Sequence, residues 1–328
     1  MVLTANGVYN RIKKSAHLGF EKGLHRLRFQ AMATACHVNF AADSSTAARY
    51  CGDEIISWVA GFEARYSRFI PDSLISRINE KAGQEWVTIS EDDERIFAIC
   101  QEMHFFTRGI FDPTSLPLIR LWNWKAANPT VPDDAAIEQA REHVGWRKVQ
   151  RKPGAVFLPH PGMSLDLGGI GKEYAVDYVA HLAKRHGIEN VMVDFGQDIQ
   201  ALGSPPSKPA WHIGLEDAQQ PGRCWTGLAI TNQAVASSGD YQRYFIHDGQ
   251  RYSHIIDPRT GRPVCNDCRV VTVVAPSCVM AGILSTSAFV LGSQEGLALI
   301  EAYYRAEGSI TTDRLRSRTQ NFDEYVVS

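Results

Sequence analysis

Between residues 191 and 274 the chain keeps returning to one unit, a run of four to seven mostly apolar residues followed by turn formers. The runs fall at 191–195, 210–215, 227–231, 234–237, 241–247, 252–257 and 270–274. Short runs bounded in this way read as strands, many of them antiparallel neighbours. Helical spacing appears elsewhere, most clearly over 47–66, where Ile55, Ile56, Val59 and Phe62 share one face. Further helices are expected just before Asn79, over 92–107 behind an N-cap at Ser90, within 129–144, from the glycine turn near 170 to 187, and over 280–292 and 294–306. Residues 27–40 and 86–89 read as single strands and 149–165 as a hairpin. Strands and helices alternate without a strict βαβ rhythm, so the expected class is α+β with mixed, largely antiparallel sheets flanked by helices.

Composition narrows the function. Of 328 residues, 44% are hydrophobic and 21% charged, as in ordinary globular domains. A formal net charge of −2 gives no broad attraction to nucleic acid or anionic membranes. No apolar run approaches the roughly 20 residues that span a bilayer. The N-terminus is basic (Arg11, Lys13, Lys14, Lys22, Arg26) but lacks the apolar segment of a secretory signal, so the expected address is cytoplasmic. Cys36, Cys51, Cys100, Cys224, Cys265, Cys268 and Cys278 then read as reduced thiols. The Cys265/Cys268 pair has no second pair to complete a zinc site.

Two stretches carry chemistry. In 238–264, Ser238 and Asp240 offer a hydroxyl and a carboxylate, and His254 precedes Asp257-Pro-Arg-Thr-Gly261. That pentapeptide is a turn by its chemistry: Asp can bond its own backbone, Pro fixes φ and Gly tolerates positive φ. In 165–172, Gly168, Gly169 and Gly171 separate a strand from a helix start, with Lys172 beside them. Backbone N–H groups at such a turn can hold phosphate, although the spacing fits neither the dinucleotide fingerprint nor a Walker A loop. The glycines equally permit close strand-to-helix packing.

Taken together, the blocks resemble the ApbE family, the FAD:protein FMN transferases, over roughly residues 27–305. They include Met32-Ala-Thr34, Ser67-Arg-Phe69, Pro71-Asp-Ser73, Asn79, Phe111-Asp-Pro-Thr114, Leu121-Trp122, the segment 166–177 and Val193-Asp-Phe-Gly196. They continue with Ser238-Gly-Asp-Tyr241, the segment 254–261, 271–276, Leu284-Ser-Thr286 and Leu291-Gly292. The resemblance implies a two-lobed domain over 27–306, an N-terminal extension over 1–26 and a tail over 307–328, whose last dozen residues are expected to fray or add an edge strand. It implies FAD clamped between the lobes and a magnesium-assisted attack on its pyrophosphate by a Thr or Ser hydroxyl of an acceptor protein. Met32, Phe69, Ile110, Phe111, Asp112, Asp166, Lys172, Ser238, Asp240 and Ile256 are the expected FAD contacts, with Phe69 stacking and Asp112 accepting hydrogen bonds. His254 is expected to do acid–base or phosphate-positioning work, the alternative being a structural histidine tied to its turn.

The metal ligands implied are Gly169 through its carbonyl, Ser285 and Thr286. Here the chain departs from the family pattern, which has an aspartate four residues before the threonine; this chain has Gly282 there. Magnesium is normally held by one or two carboxylates plus substrate phosphates, so the site is expected to bind it weakly or not at all unless a carboxylate such as Asp240, Asp257 or Asp267 comes from elsewhere. Gly282→Asp is then the substitution expected to restore transfer. Ala33 and Gln197 also stand where the family has glycine. Three functions follow for comparison: an FMN transferase, a flavin-binding relative without transfer activity acting as carrier or partner subunit, and an FAD pyrophosphatase.

Overall fold

A computed structural model describes residues 5–217, 220–240 and 243–327. The helices are α1 (Ala5–Ser15), α2 (Ser45–Tyr66), α3 (Leu74–Glu80), α4 (Glu91–Phe106), α5 (Leu116–Trp122), α6 (Asp134–Glu142), α7 (Gly171–Arg185), α8 (Cys278–Leu291) and α9 (Ser293–Glu301); all but α1 and α5 answer to an expected helix, α9 ending at 301 rather than 306. The helix starts explain themselves chemically. Ser90 and Asp93 form a reciprocal capping box at α4, and Ser44 caps α2. At α8 the cap is doubled, because Asp177 accepts the backbone N–H groups of Cys278 at 2.7 Å and Val279 at 3.0 Å.

Among the described residues, nine strands form the main sheet, every neighbouring pair antiparallel. Its order is His17–Glu21, Leu24–Ala31, Thr34–Phe40, Val191–Phe195, Asp198–Leu202, Gln233–Gly239, Cys268–Ala275, Glu307–Thr312 and Arg316–Arg318. Period-2 alternation gives each face its own core. Ala234, Ala236, Val271 and Val273 belong to a large core that also takes in residues of α1, α2, α7, α8 and α9. Ile199, Val235 and Val274 point the other way, against a small sheet of Trp211–Asp217, Gln220–Ile230 and Val326–Val327. The α+β architecture with largely antiparallel sheets is therefore as expected.

Four expectations need correction. Residues 27–40 are two strands, not one, joined at Met32-Ala33. Asp198–Leu202, overlooked because Asp198 and Gln200 break its apolar pattern, is a central strand. The segment leading into the glycine turn at 168 is extended chain outside any sheet. The run at 252–257 is broken at His254 into Gln250–Ser253 and Ile256–Asp257, which pair with Tyr244–His247 and Arg262–Pro263 respectively. Described residues on both sides of 27–306 are also built into the fold. The first strand and α1, with Val8 and Ile12 fully buried, precede residue 27, and Glu307–Thr312 pairs with Cys268–Ala275 beyond residue 306. No helix among the described residues is long and apolar enough to cross a membrane.

Candidate active site

The glycine turn opens α7, and three side chains converge on it. Asp166 accepts the Gly168 N–H at 2.9 Å and pairs with Arg68 Nε at 3.1 Å. The Arg68 guanidinium lies 4.2 Å from the centre of the Phe69 ring, which is 75% exposed. Asn79 fixes the chain on the other side, donating to the Leu165 carbonyl at 2.9 Å and accepting its N–H at 2.6 Å. A Cβ placed on Gly169 would sit 3.7 Å from Phe111 Cε2, so Phe111 borders the turn. The helix itself starts without a side-chain cap. The Gly171 N–H is taken by the Leu167 carbonyl at 2.6 Å, while the positive end of the helix dipole faces the turn and is available to an anion. Lys172 pairs with Asp198, and although burial opposes its charge, Asp198 and Glu173 raise its pKa.

The hydroxyl residues meet nearby. Ser238 Oγ lies 2.9 Å from Ser285 Oγ and 2.8 Å from Thr286 Oγ1, and Ser285 donates to the Gly282 carbonyl at 3.0 Å. Gly282 faces Glu173, for an ideal Cβ at 282 would come within 2.7 Å of Glu173 Cγ. Glu173 is 8% exposed, its Oε2 has no hydrogen-bond partner, and burial together with the Asp198 carboxylate pushes its pKa up to about 8. Asp198, Arg68 and Glu173 were not singled out from the sequence. Arg68 and Glu173 stand inside recognised blocks, but nothing local marks Asp198.

The remaining expected residues fall into two kinds. Met32 forms a hairpin tip with φ 49°, its N–H held by Glu63 Oε2 at 2.9 Å. Ile110 is buried, and Asp112 has both oxygens accepting bonds within the chain, Oδ1 from Thr114 N at 2.8 Å and Oδ2 from Trp146 N at 2.9 Å. Asp112 thus shapes the loop that presents Phe111. Asp240 pairs with Arg251 at 2.9 Å, and Asp257 accepts Arg259 N at 2.9 Å and Arg259 Nη2 at 2.8 Å. Neither carboxylate stands free to replace one at 282. Tyr241 lies outside the described residues.

His254 and Ile256 have their described contacts elsewhere. Ile256 packs with Trp122 and Phe245, and the His254 ring lies 5.7 Å from that of Trp124. Its Nδ1 is 2.9 Å from the Arg243 carbonyl, which can only accept, so Nδ1 carries the proton and Nε2 the lone pair. Burial lowers its pKa to about 4. The turn that follows forms as its sequence dictates: Gly261 has φ 71° and donates to the Asp257 carbonyl at 2.8 Å. A cleft lined by Gly109, Asp112, Arg141, Pro258 and Arg259 brings this turn against the Phe111 loop.

The ApbE family pattern matches residues 32–309. A protein of Vibrio cholerae named FAD:protein FMN transferase is 34% identical over 239 residues, 72% of each chain. A Haemophilus influenzae protein of the same name is 30% identical over 285 residues, 83% of this chain and 82% of that one. Among solved structures, the ApbE protein of Thermotoga maritima superposes with a TM-score of 0.84 at 28% identity, covering 93% of this chain and all of that one. The flavin transferase ApbE of Vibrio cholerae gives 0.80 at 28% identity, covering 94% and 99%.

Proposed function

The chain belongs to the ApbE family, and on that premise we propose that it is an FAD:protein FMN transferase, moving FMN from FAD onto a Thr or Ser hydroxyl of an acceptor protein. The observation that carries this reading is the gathering at the start of α7. An uncapped helix terminus, Lys172 and a three-glycine turn share this end of α7; Asp166 and Arg68 link the turn to the exposed Phe69 ring, and Glu173 faces Gly282, whose carbonyl accepts Ser285 of the hydroxyl cluster. That set suits a diphosphate joined to a flat ring system.

In the reaction the acceptor oxygen attacks the phosphorus of the FMN half. The bond from that phosphorus to the bridging oxygen breaks, and AMP leaves with the bridging oxygen. The hydroxyl proton goes to His254 Nε2, which has the lone pair to take it. Lys172 and the α7 N-terminus hold the phosphate oxygens, while Phe69 and Phe111 border the flavin. Met32, Ile110, Asp166, Ser238 and Ile256 complete the FAD surroundings, and Asp112 and Asp240 shape them from behind. The donor set suits a hard divalent cation, since an orphaned oxygen of Glu173 is buried against Gly282, whose carbonyl accepts the Ser285 hydroxyl. Thr286, Ser285 and the Gly169 carbonyl would be among the ligands of magnesium, which supplies neutralisation of charge on the pyrophosphate. The seven cysteines are free, which supports a reducing compartment such as the cytoplasm.

Purified protein incubated with FAD, magnesium and a threonine-bearing acceptor is expected to leave covalent flavin on the acceptor and free AMP. Release of FMN and AMP regardless of acceptor would instead mark a pyrophosphatase. Unchanged FAD would mark a binding protein.

A further inference from the structure

We propose that Glu173 is the carboxylate of the cation site, displaced from α8 to α7 across the contact between the two helices. The assignment rests on the flavin-transfer reading for the role of the cation. Helices α7 and α8 run antiparallel where they touch. Asp177 meets Cys278 and Val279, and one turn earlier on α7 Glu173 meets Gly282. Followed back toward the glycine turn, α7 thus meets α8 at positions progressively nearer Thr286. The Glu173 carboxylate therefore stands in line with the two ends of the expected ligand set.

Gly282 explains itself in this arrangement. A Cβ there would lie 2.7 Å from Glu173 Cγ and 3.2 Å from Oε1, so a side chain at 282 and the present position of Glu173 exclude each other. The acid is therefore relocated. Glu173 is more than nine-tenths buried, yet Oε2 finds no donor. Lys172, its neighbour in sequence, pairs with Asp198 instead. A buried polar oxygen without a hydrogen-bond partner is costly to keep, and a divalent cation bound by hard oxygens would satisfy it. On this assignment Gly282→Asp alone does not restore the site. Added to the present chain, that side chain collides with Glu173.

The test is Mn2+ binding to the purified full chain, with and without FAD, followed by the electron paramagnetic resonance signal of free Mn2+. Glu173→Gln is expected to weaken binding at least tenfold and to abolish the Mn2+-induced rise in melting temperature. Gly282→Asp alone is expected to gain nothing. Glu173→Ala with Gly282→Asp, which returns the acid to α8, is expected to come within about threefold of the native affinity. Should Glu173→Gln fail to fold, the double variant decides: binding restored only when the acid is present on one helix or the other supports the assignment. Native affinity in Glu173→Gln, or no Mn2+ binding by the native chain, overturns it. Running the acceptor assay in parallel keeps the two readings apart. Flavin transfer with an unaffected Glu173→Gln site sinks the Glu173 assignment alone. A chain that never transfers flavin but loses Mn2+ with Glu173→Gln sinks the transferase reading alone.

Discussion

Trp122 and Gly261, 139 residues apart in sequence, meet through a 2.8 Å hydrogen bond from the indole Nε1–H to the glycine carbonyl. The bond fastens the end of α5 to the turn that follows His254 and Ile256. Trp122→Phe keeps most of the packing and leaves that carbonyl without its donor. The expected loss is about 1–3 kcal/mol in urea denaturation, with a several-fold weaker affinity for FAD. An unchanged FAD affinity would separate this turn from the ligand.

His254 gives a sharper prediction. Its Nδ1 proton is committed to the Arg243 carbonyl, and burial holds the ring neutral until the pH falls to about 4. A base of that kind is active above its pKa and protonated below it. The acid limb of the kcat/KM profile for flavin transfer is therefore expected near pH 4 and not near the ordinary 6.5. His254→Asn should lower transfer by roughly 100-fold or more while FAD binding stays close to native. An inflection at the ordinary histidine value, or full activity in the variant, would remove His254 from the proton's path.

Asp93 governs stability rather than chemistry. Burial opposes its charge, but donors from Arg65 at 2.7 Å, Tyr66 at 2.5 Å and the Ser90 N–H at 2.7 Å outweigh it and hold its pKa at about 2. Because the folded value lies below the unfolded 3.8, its contribution is complete above about pH 4 and disappears as the pH falls toward 2. That contribution is about 2 kcal/mol. Urea midpoints measured from pH 5 to pH 2 should drop in the native chain and flatten over this window in Asp93→Asn.

What was legible in the sequence followed local chemistry. The Asp257–Gly261 turn, the Ser90 cap and the glycine turn before Lys172 each carry their own geometry in their residue types, and each formed as expected. Glu173 carries no such mark, being one more acidic residue in a first helical turn until α8 packs against it with a glycine. Asp112 looked like a ligand acceptor because sequence shows that a carboxylate is present but not that Thr114 and Trp146 already occupy it. Strand 198–202 was hidden because two of its buried positions, Asp198 and Gln200, are polar.

The hairpin at Met32-Ala33 escaped notice for a related reason, and it yields the last prediction. Two-residue turns of this kind need positive φ at their centre, which usually announces itself as Asn or Gly. Here Met32 and Ala33 have φ 49° and 58°, and at the neighbouring tip Gly196 and Gln197 have 62° and 74°. The two tips touch, since Cys36 pairs with Phe195 and Gly196 donates to the Ala35 carbonyl at 3.0 Å. An L-residue in the left-handed region costs about 1–2 kcal/mol, part of which glycine returns as lost chain entropy on folding. Ala33→Gly and Gln197→Gly are each expected to stabilise the protein by about 0.5–1 kcal/mol, read as a higher urea midpoint with an unchanged slope. Since neither tip shares a hydrogen bond with the Glu173–Gly282 contact, both substitutions should leave Mn2+ affinity unchanged. A lowered midpoint in both would mean that the side chains at 33 and 197 contribute contacts worth more than the strain they impose.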